Sequence, residues 1–156
     1  MEFMKRALPA AVAGWLAIDV YMAAVYLALG STPLRLFQWD ASNALGNAAY
    51  SGGWAAGTLG LVLDFIVSFA WAALAVYAMQ RLRAVRDHPF AFGIVLGILV
   101  MCVMVYGLVP LGHARQAAFT LRSTLIMLVG HTLFFGAPVV LTVRATSGRQ
   151  ELGKAF

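Results

Sequence analysis

The sequence predicts an all-α membrane protein: a four-transmembrane-helix bundle, one transmembrane domain over residues 1–156, with a short amphipathic interfacial helix between spans 1 and 2. Three observations carry that expectation. Hydrophobic residues make up 62% of the 156 positions and charged residues only 11%, with a mean hydropathy of +0.85, far from the mix of a soluble domain. Four apolar runs, at about 8–29, 55–79, 90–111 and 123–144, each reach about 33 Å or slightly more at the α-helical rise, against a hydrocarbon core of about 30 Å. Finally, the basic residues fall mainly on alternate connections.

Taken in order, the first run follows Lys5 and Arg6 and ends near Ala28–Gly30, which has the outline of a secretory signal. Asp19 interrupts its apolar core and the run is long, so we expect a retained helix. The connection Gly30–Trp54 is not random. Thr32 can cap a helix, Pro33 suits its first position, and Leu34, Phe37, Ala41, Leu45 and Ala48 recur at helical spacing. This reads as an amphipathic helix at the outer interface or folded over the bundle mouth. Trp39, Tyr50 and Trp54 fit an aromatic belt there, and Ser51-Gly52-Gly53 supplies a hinge into the second span. Asp87, His88 and Pro89 open the third span as boundary residues. Pro110 near its outer end and Pro138 inside the fourth should bend or end their helices.

With both termini and the middle connection on one side, that side holds Lys5, Arg6, Arg81, Arg83, Arg86, Arg144, Arg149 and Lys154, and the other only Arg35, Arg115 and Arg122. By the positive-inside rule this predicts a multi-pass protein with both termini cytoplasmic, which we expect in a bacterial inner membrane. The same topology explains the net charge of +5 without nucleic acid, which we exclude as a partner.

Asp19 and Asp64 stand inside otherwise apolar spans. A carboxylate near the bilayer centre costs roughly 2.5–3.5 kcal/mol, so it faces a partner, a wet cavity or a substrate path. Helix rise puts Asp19 about 16 Å from the cytoplasmic end of its span, Asp64 about 14 Å and His131 about 12 Å from the outer ends of theirs. All three fall at or slightly above the midplane, so an inward orientation would make one polar cluster. Such a trio suits a proton relay or a cation-binding pocket. Alternatively, each aspartate is structural, held by a hydrogen bond worth about 0.6–2 kcal/mol between helices.

Other chemistry finds little support. No two of Asp19, Asp64 and His131 share a helix at the spacing that di-iron bundles use, so no metal is expected. A single intramembrane histidine leaves no bis-histidine haem ligation, and no cofactor is expected. Cys102 stands alone, without a disulfide or thiolate cluster. The chain lacks a GxSxG elbow, HExxH and a P-loop, so the reading leans away from an enzyme.

Helix packing is better represented. Gly93 and Gly97 form GxxxG at the start of the third span, Gly53 and Gly57 form another before the second, and Ala10 with Gly14 makes a looser small-residue pair. These predict close contacts, within the bundle or between protomers of a homodimer. Asp19, the segment Pro33–Trp39 (PLRLFQW), Ala41–Gly46 (ASNALG), Tyr50 with Gly52 and Gly53, His88-Pro89, Val109-Pro110-Leu111, and His131 followed by Gly136 and Pro138 together resemble small uncharacterised bacterial membrane proteins of four helices. That resemblance covers most of the chain; it implies the topology and supplies no catalytic residue.

Two functional readings follow. In one, a small proton- or cation-linked carrier or ligand-binding bundle uses Asp19, Asp64 and His131, its ion or small-molecule ligand unspecified. In the other, the chain is a non-catalytic accessory or scaffold subunit of a larger membrane complex, its aspartates paired within its own bundle or with a partner. The lipid bilayer is a partner in both.

Overall fold

The computed structural model of the chain describes residues 1–113 and 120–152, the last five as backbone alone. Arg115 and Lys154 lie outside the described residues, and the Arg149 side chain outside what is described. Among the described residues every regular element is helical. These are α1 Glu2–Ala28, α2 Pro33–Leu45, α3 Gly53–Arg81, α4 Arg83–Asp87, α5 Pro89–Val103, α6 Val109–Leu111, α7 Leu121–Val129 and α8 Ala137–Leu152. A 3-10 turn, Gly46–Tyr50, follows α2; π-helical turns Met104–Leu108 and Gly130–Gly136 join α5 to α6 and α7 to α8. The protein is therefore a bundle of four helices long and apolar enough to cross a membrane: Glu2–Ala28, Gly53–Arg81, Pro89–Leu111 and Leu121–Ser147.

The helices outrun the apolar stretches at several ends because hydropathy marks lipid contact, whereas a helix continues until something stops it. At the N-terminus the polar first turn stays helical, with Lys5 Nζ 3.2 Å from Glu2 Oε1. Thr32 caps α2 by accepting from the Arg35 amide, and Pro33 follows at its first position. Gly46, at φ +58°, ends it.

Span order around the bundle is α3, α1, fourth span, third span, and α3 makes no extended contact with the third span. Small residues set the closest approaches. Gly14 of α1 faces Val139 and Phe135. Gly93 meets the backbone of Gly136 and Ala137, and Gly97 that of His131 and Thr132, so both glycines are buried by the chain's own fourth span. The second glycine pair divides its roles. Gly57 lies under Leu34, and Gly60 under the Phe37 backbone, making a groove that seats α2. Gly53, at φ +55°, makes the turn into α3, and a side chain begun there would meet nothing within 4 Å.

α2 also departs from the expected amphipathic pattern. Its buried residues are Leu36, Gln38, Ala41 and Ser42, while Leu45 and Ala48 are exposed. The reason is that α2 is covered on two sides. Leu34 and Phe37 face the α3 groove, and Leu36, Trp39, Asp40 and Asn43 turn into the bundle. Two of its buried polar side chains are partnered by backbone: Gln38 Nε2 donates to the Gly53 carbonyl at 3.3 Å and Ser42 Oγ to the Trp39 carbonyl at 2.6 Å. Trp39, expected in an aromatic belt, lines an internal cavity instead, whereas Trp54 is exposed.

Pro110 and Pro138 act through the turn before them. A proline offers no amide hydrogen and its ring excludes the carbonyl four residues back, here Tyr106 and Phe134. Those carbonyls lie inside the two π turns, so the helix widens by a residue where a simple kink was expected.

Candidate functional site

Asp19 of α1, Asp40 of α2, Asp64 of α3 and His131 of the fourth span all line one cavity of about 70 Å3. It has room for a few waters and enough polar partners to hold them. A second, smaller cavity of about 40 Å3 continues from it, sharing Ile18, Asp64, Met104 and His131 and reaching the buried Ser68. On the other side Asp64, Asp40, Asn43 and Met104 also line a cleft of about 360 Å3 between α3 and the third span. That cleft exists because those two spans do not close on each other, and α2 fills only part of the gap.

Asp19 and Asp64 lie side by side, their carboxyl groups within hydrogen-bonding reach. Two carboxylates have no donor between them, so the contact forms only when the pair holds a proton. Asp64 Oδ2 is buried without a hydrogen-bond partner, and so is Oδ1 of Asn43, which lines the same cavity and cleft. Asn43 spends its donor locally, on the Asp40 carbonyl at 3.1 Å. Asp40, outside the spans, has its carboxyl pushed well above the usual carboxylate range, by burial first and then by the Asp64 and Asp19 charges. Among the described residues no lysine or arginine lines either cavity or the cleft.

His131 is oriented by its own helix. Its Nδ1 lies 2.8 Å from the Met127 carbonyl, which accepts, so Nδ1 carries hydrogen and Nε2 of the neutral ring is an acceptor. Tyr21, two residues beyond Asp19, faces elsewhere, donating to the Ile126 carbonyl at 3.1 Å and stacking on Phe134 at 4.5 Å. Among the described residues no group of three or more His, Cys, Asp or Glu is arranged to hold a metal ion.

The structure thus brings Asp19, Asp64 and His131 together and adds Asp40, Asn43 and Trp39, which the sequence reading placed in an interfacial helix. Two signals point to them. Gly57 and Gly60 at helical spacing announce a crossing helix, and Gln38, Asp40, Ser42 and Asn43 make α2 too polar to lie on lipid by one clean apolar face. The fold and site define a multi-pass helical membrane protein with an internal carboxyl cluster. No protein-family model, no curated protein and no solved structure matches the chain.

Proposed function

We propose that the chain is a small proton- or cation-linked carrier or ligand-binding bundle whose working groups are Asp19, Asp40 and Asp64, with His131 beside them. One observation carries this: three carboxyl groups from three helices converge on a cavity that, among the described residues, is lined by no lysine or arginine. A bundle that only needed interhelical hydrogen bonds would pair such groups with donors; here Asp64 Oδ2 has none. The charge neutralising this site must arrive as protons or as a cation. In this reading His131, which lines both cavities, relays a proton between the cluster and the end of the smaller cavity at Ser68.

The uneven distribution of lysine and arginine supports an inner-membrane protein of a bacterium with cytoplasmic termini, the carboxyl cluster lying nearer the outer face. The test is proton release. A cluster that holds protons in the fold loses stability as pH rises, and Asp64→Asn or Asp19→Asn should flatten that dependence while leaving expression and helicity intact. Unfolding midpoints independent of pH between 5 and 9, or an unchanged slope in both variants, would overturn the reading. Co-purification with a larger complex whose assembly needs these aspartates would favour the accessory subunit.

A further inference from the structure

We propose that the cleft between α3 and the third span is a lateral entry for a hydrophobic ammonium ion from the bilayer, its apolar body between the helices and its N–H groups on Asp64 and Asn43. The inference rests on the carboxyl-cluster reading and names the ligand class of that site. Four observations lead to it. The cleft, at about 360 Å3, lies in the low part of the roughly 300–1,000 Å3 range of small-molecule sites. Its walls are Leu63, Ile66, Val67, Leu108 and Leu111, and Ile66 and Leu111 are exposed on the bundle surface, on helices whose apolar outer faces belong in lipid. A ligand reaching it from the membrane therefore needs no aqueous path.

At the polar end the cleft is lined by Asp40, Asn43 and Asp64, and Asp64 Oδ2 and Asn43 Oδ1 are acceptors without a partner. Acceptors without donors select a ligand that donates, and clustered carboxyls select one that is positive; a protonated amine is both. A neutral lipid without a donor, or an anion, would leave these oxygens unpaired. A small inorganic cation would use the oxygens and waste the apolar walls.

The groups facing Asp64 are Asp19 from α1, Asp40 from α2 and His131 from the fourth span, while the third span adds no titratable side chain to the cavities or the cleft. Protons and the ammonium thus compete for one carboxyl set, and binding of the amine displaces a proton.

1-Naphthylmethylamine, charged at neutral pH, and its near-isostere 1-naphthalenemethanol, neutral, are titrated into the full chain in nanodiscs, with methylammonium as the cation lacking an apolar body. We expect the amine to bind at least tenfold more tightly than the alcohol, methylammonium to show no saturable binding, and amine affinity to fall as pH is lowered. Asp64→Asn should weaken the amine at least tenfold. Ala44→Trp, and independently Ile66→Trp, should obstruct the cleft and weaken the amine while the pH dependence of unfolding stays as in the parent. Equal binding of amine and alcohol, or amine affinity untouched by Asp64→Asn and by both tryptophan variants, would overturn the proposal. No amine binding alongside a retained pH-dependent stability sinks this inference alone; loss of both sinks the carboxyl-cluster reading with it.

Discussion

Toward the end of the bundle that carries the N-terminus, Ala7, Ala10 and Ala11 of α1 close against Ala72, Ala75 and Val76 of α3 and Val139, Val140 and Val143 of α8, a continuous apolar cluster. Toward the other end the same spans part around Asp19, Asp64 and His131, two helices widen into π turns, and α2 is wedged into the space. Side-chain size explains the first half: alanine and glycine stripes let backbones approach closely, and the pocket of about 240 Å3 at its polar end is lined by Arg6, Arg86 and Arg144 and by no carboxyl group. The second half is kept open by larger and polar side chains and by the prolines, and its opening is lined with carboxyls. Four apolar spans suffice for that packed cluster. The site needs the fifth helix as well.

The sharpest way to break this contrast is to add volume on each side. Gly97→Val puts side-chain atoms where the His131 and Thr132 backbone already lies, and backbone cannot yield as a side chain end can. We expect a loss of about 3 kcal/mol or more, seen as a collapse of the unfolding midpoint in mild detergent. Ala44→Val, which adds the same kind of bulk beside the open cleft, should cost under about 1 kcal/mol. Similar losses for the two variants would show that the cleft is closed in the membrane.

Removing volume probes the same difference more gently. Leu96, 2% exposed in the dry cluster, should lose roughly 2–5 kcal/mol as Leu96→Ala. Met104 already borders both cavities and the cleft, so Met104→Ala extends existing space and should cost clearly less. Chemical unfolding of the two variants side by side checks the order, and a larger loss at Met104 contradicts it.

How far the sequence foretells this division differs between the halves. Hydropathy is a one-dimensional signal and fixes spans well, and helix rise brings Asp19, Asp64 and His131 to one depth, where a common cavity holds them. Asp40 escaped because its helix is not a span, and a polar residue outside a span carries no cost that would draw notice. The face α2 presents depends on the Gly57–Gly60 groove of another helix, a tertiary fact that periodicity within α2 cannot contain. Pro110 and Pro138 signal disruption, but whether a helix kinks or takes a π turn is decided by what packs beside it.

Asp40 gives the contrast a pH signature. Its carboxyl holds a proton in the fold well above the usual range, while the unfolded chain releases it near pH 4. Above that value the unfolded state binds fewer protons, so stability is full at low pH and falls as pH rises toward the folded value, by up to about 1.4 kcal/mol per pH unit for one proton. Asp40→Asn should remove that slope, leaving a flatter unfolding curve from pH 5 upward. A slope that steepens instead would mean that Asp40 is ionised in the fold.

The smallest expected change in stability comes from Pro138→Ala, and it tests what keeps the polar half open. In a regular α-helix successive residues turn by about 100°, and the extra residue of the π turn lets His131 and Val139 both face inward, one toward each half of the bundle. Alanine restores the missing amide hydrogen and removes the clash with the Phe134 carbonyl, so the turn is free to tighten. We expect a change in stability within about 1 kcal/mol, because the gained hydrogen bond is offset by disturbed packing. His131 should swing off the cavity, read as a shift of its imidazole nitrogen resonances together with weakened coupling to the pH dependence of unfolding. If those resonances stay in place, the contact of Gly97 with the His131 backbone holds the turn open, and the dry half of the bundle is what shapes the site.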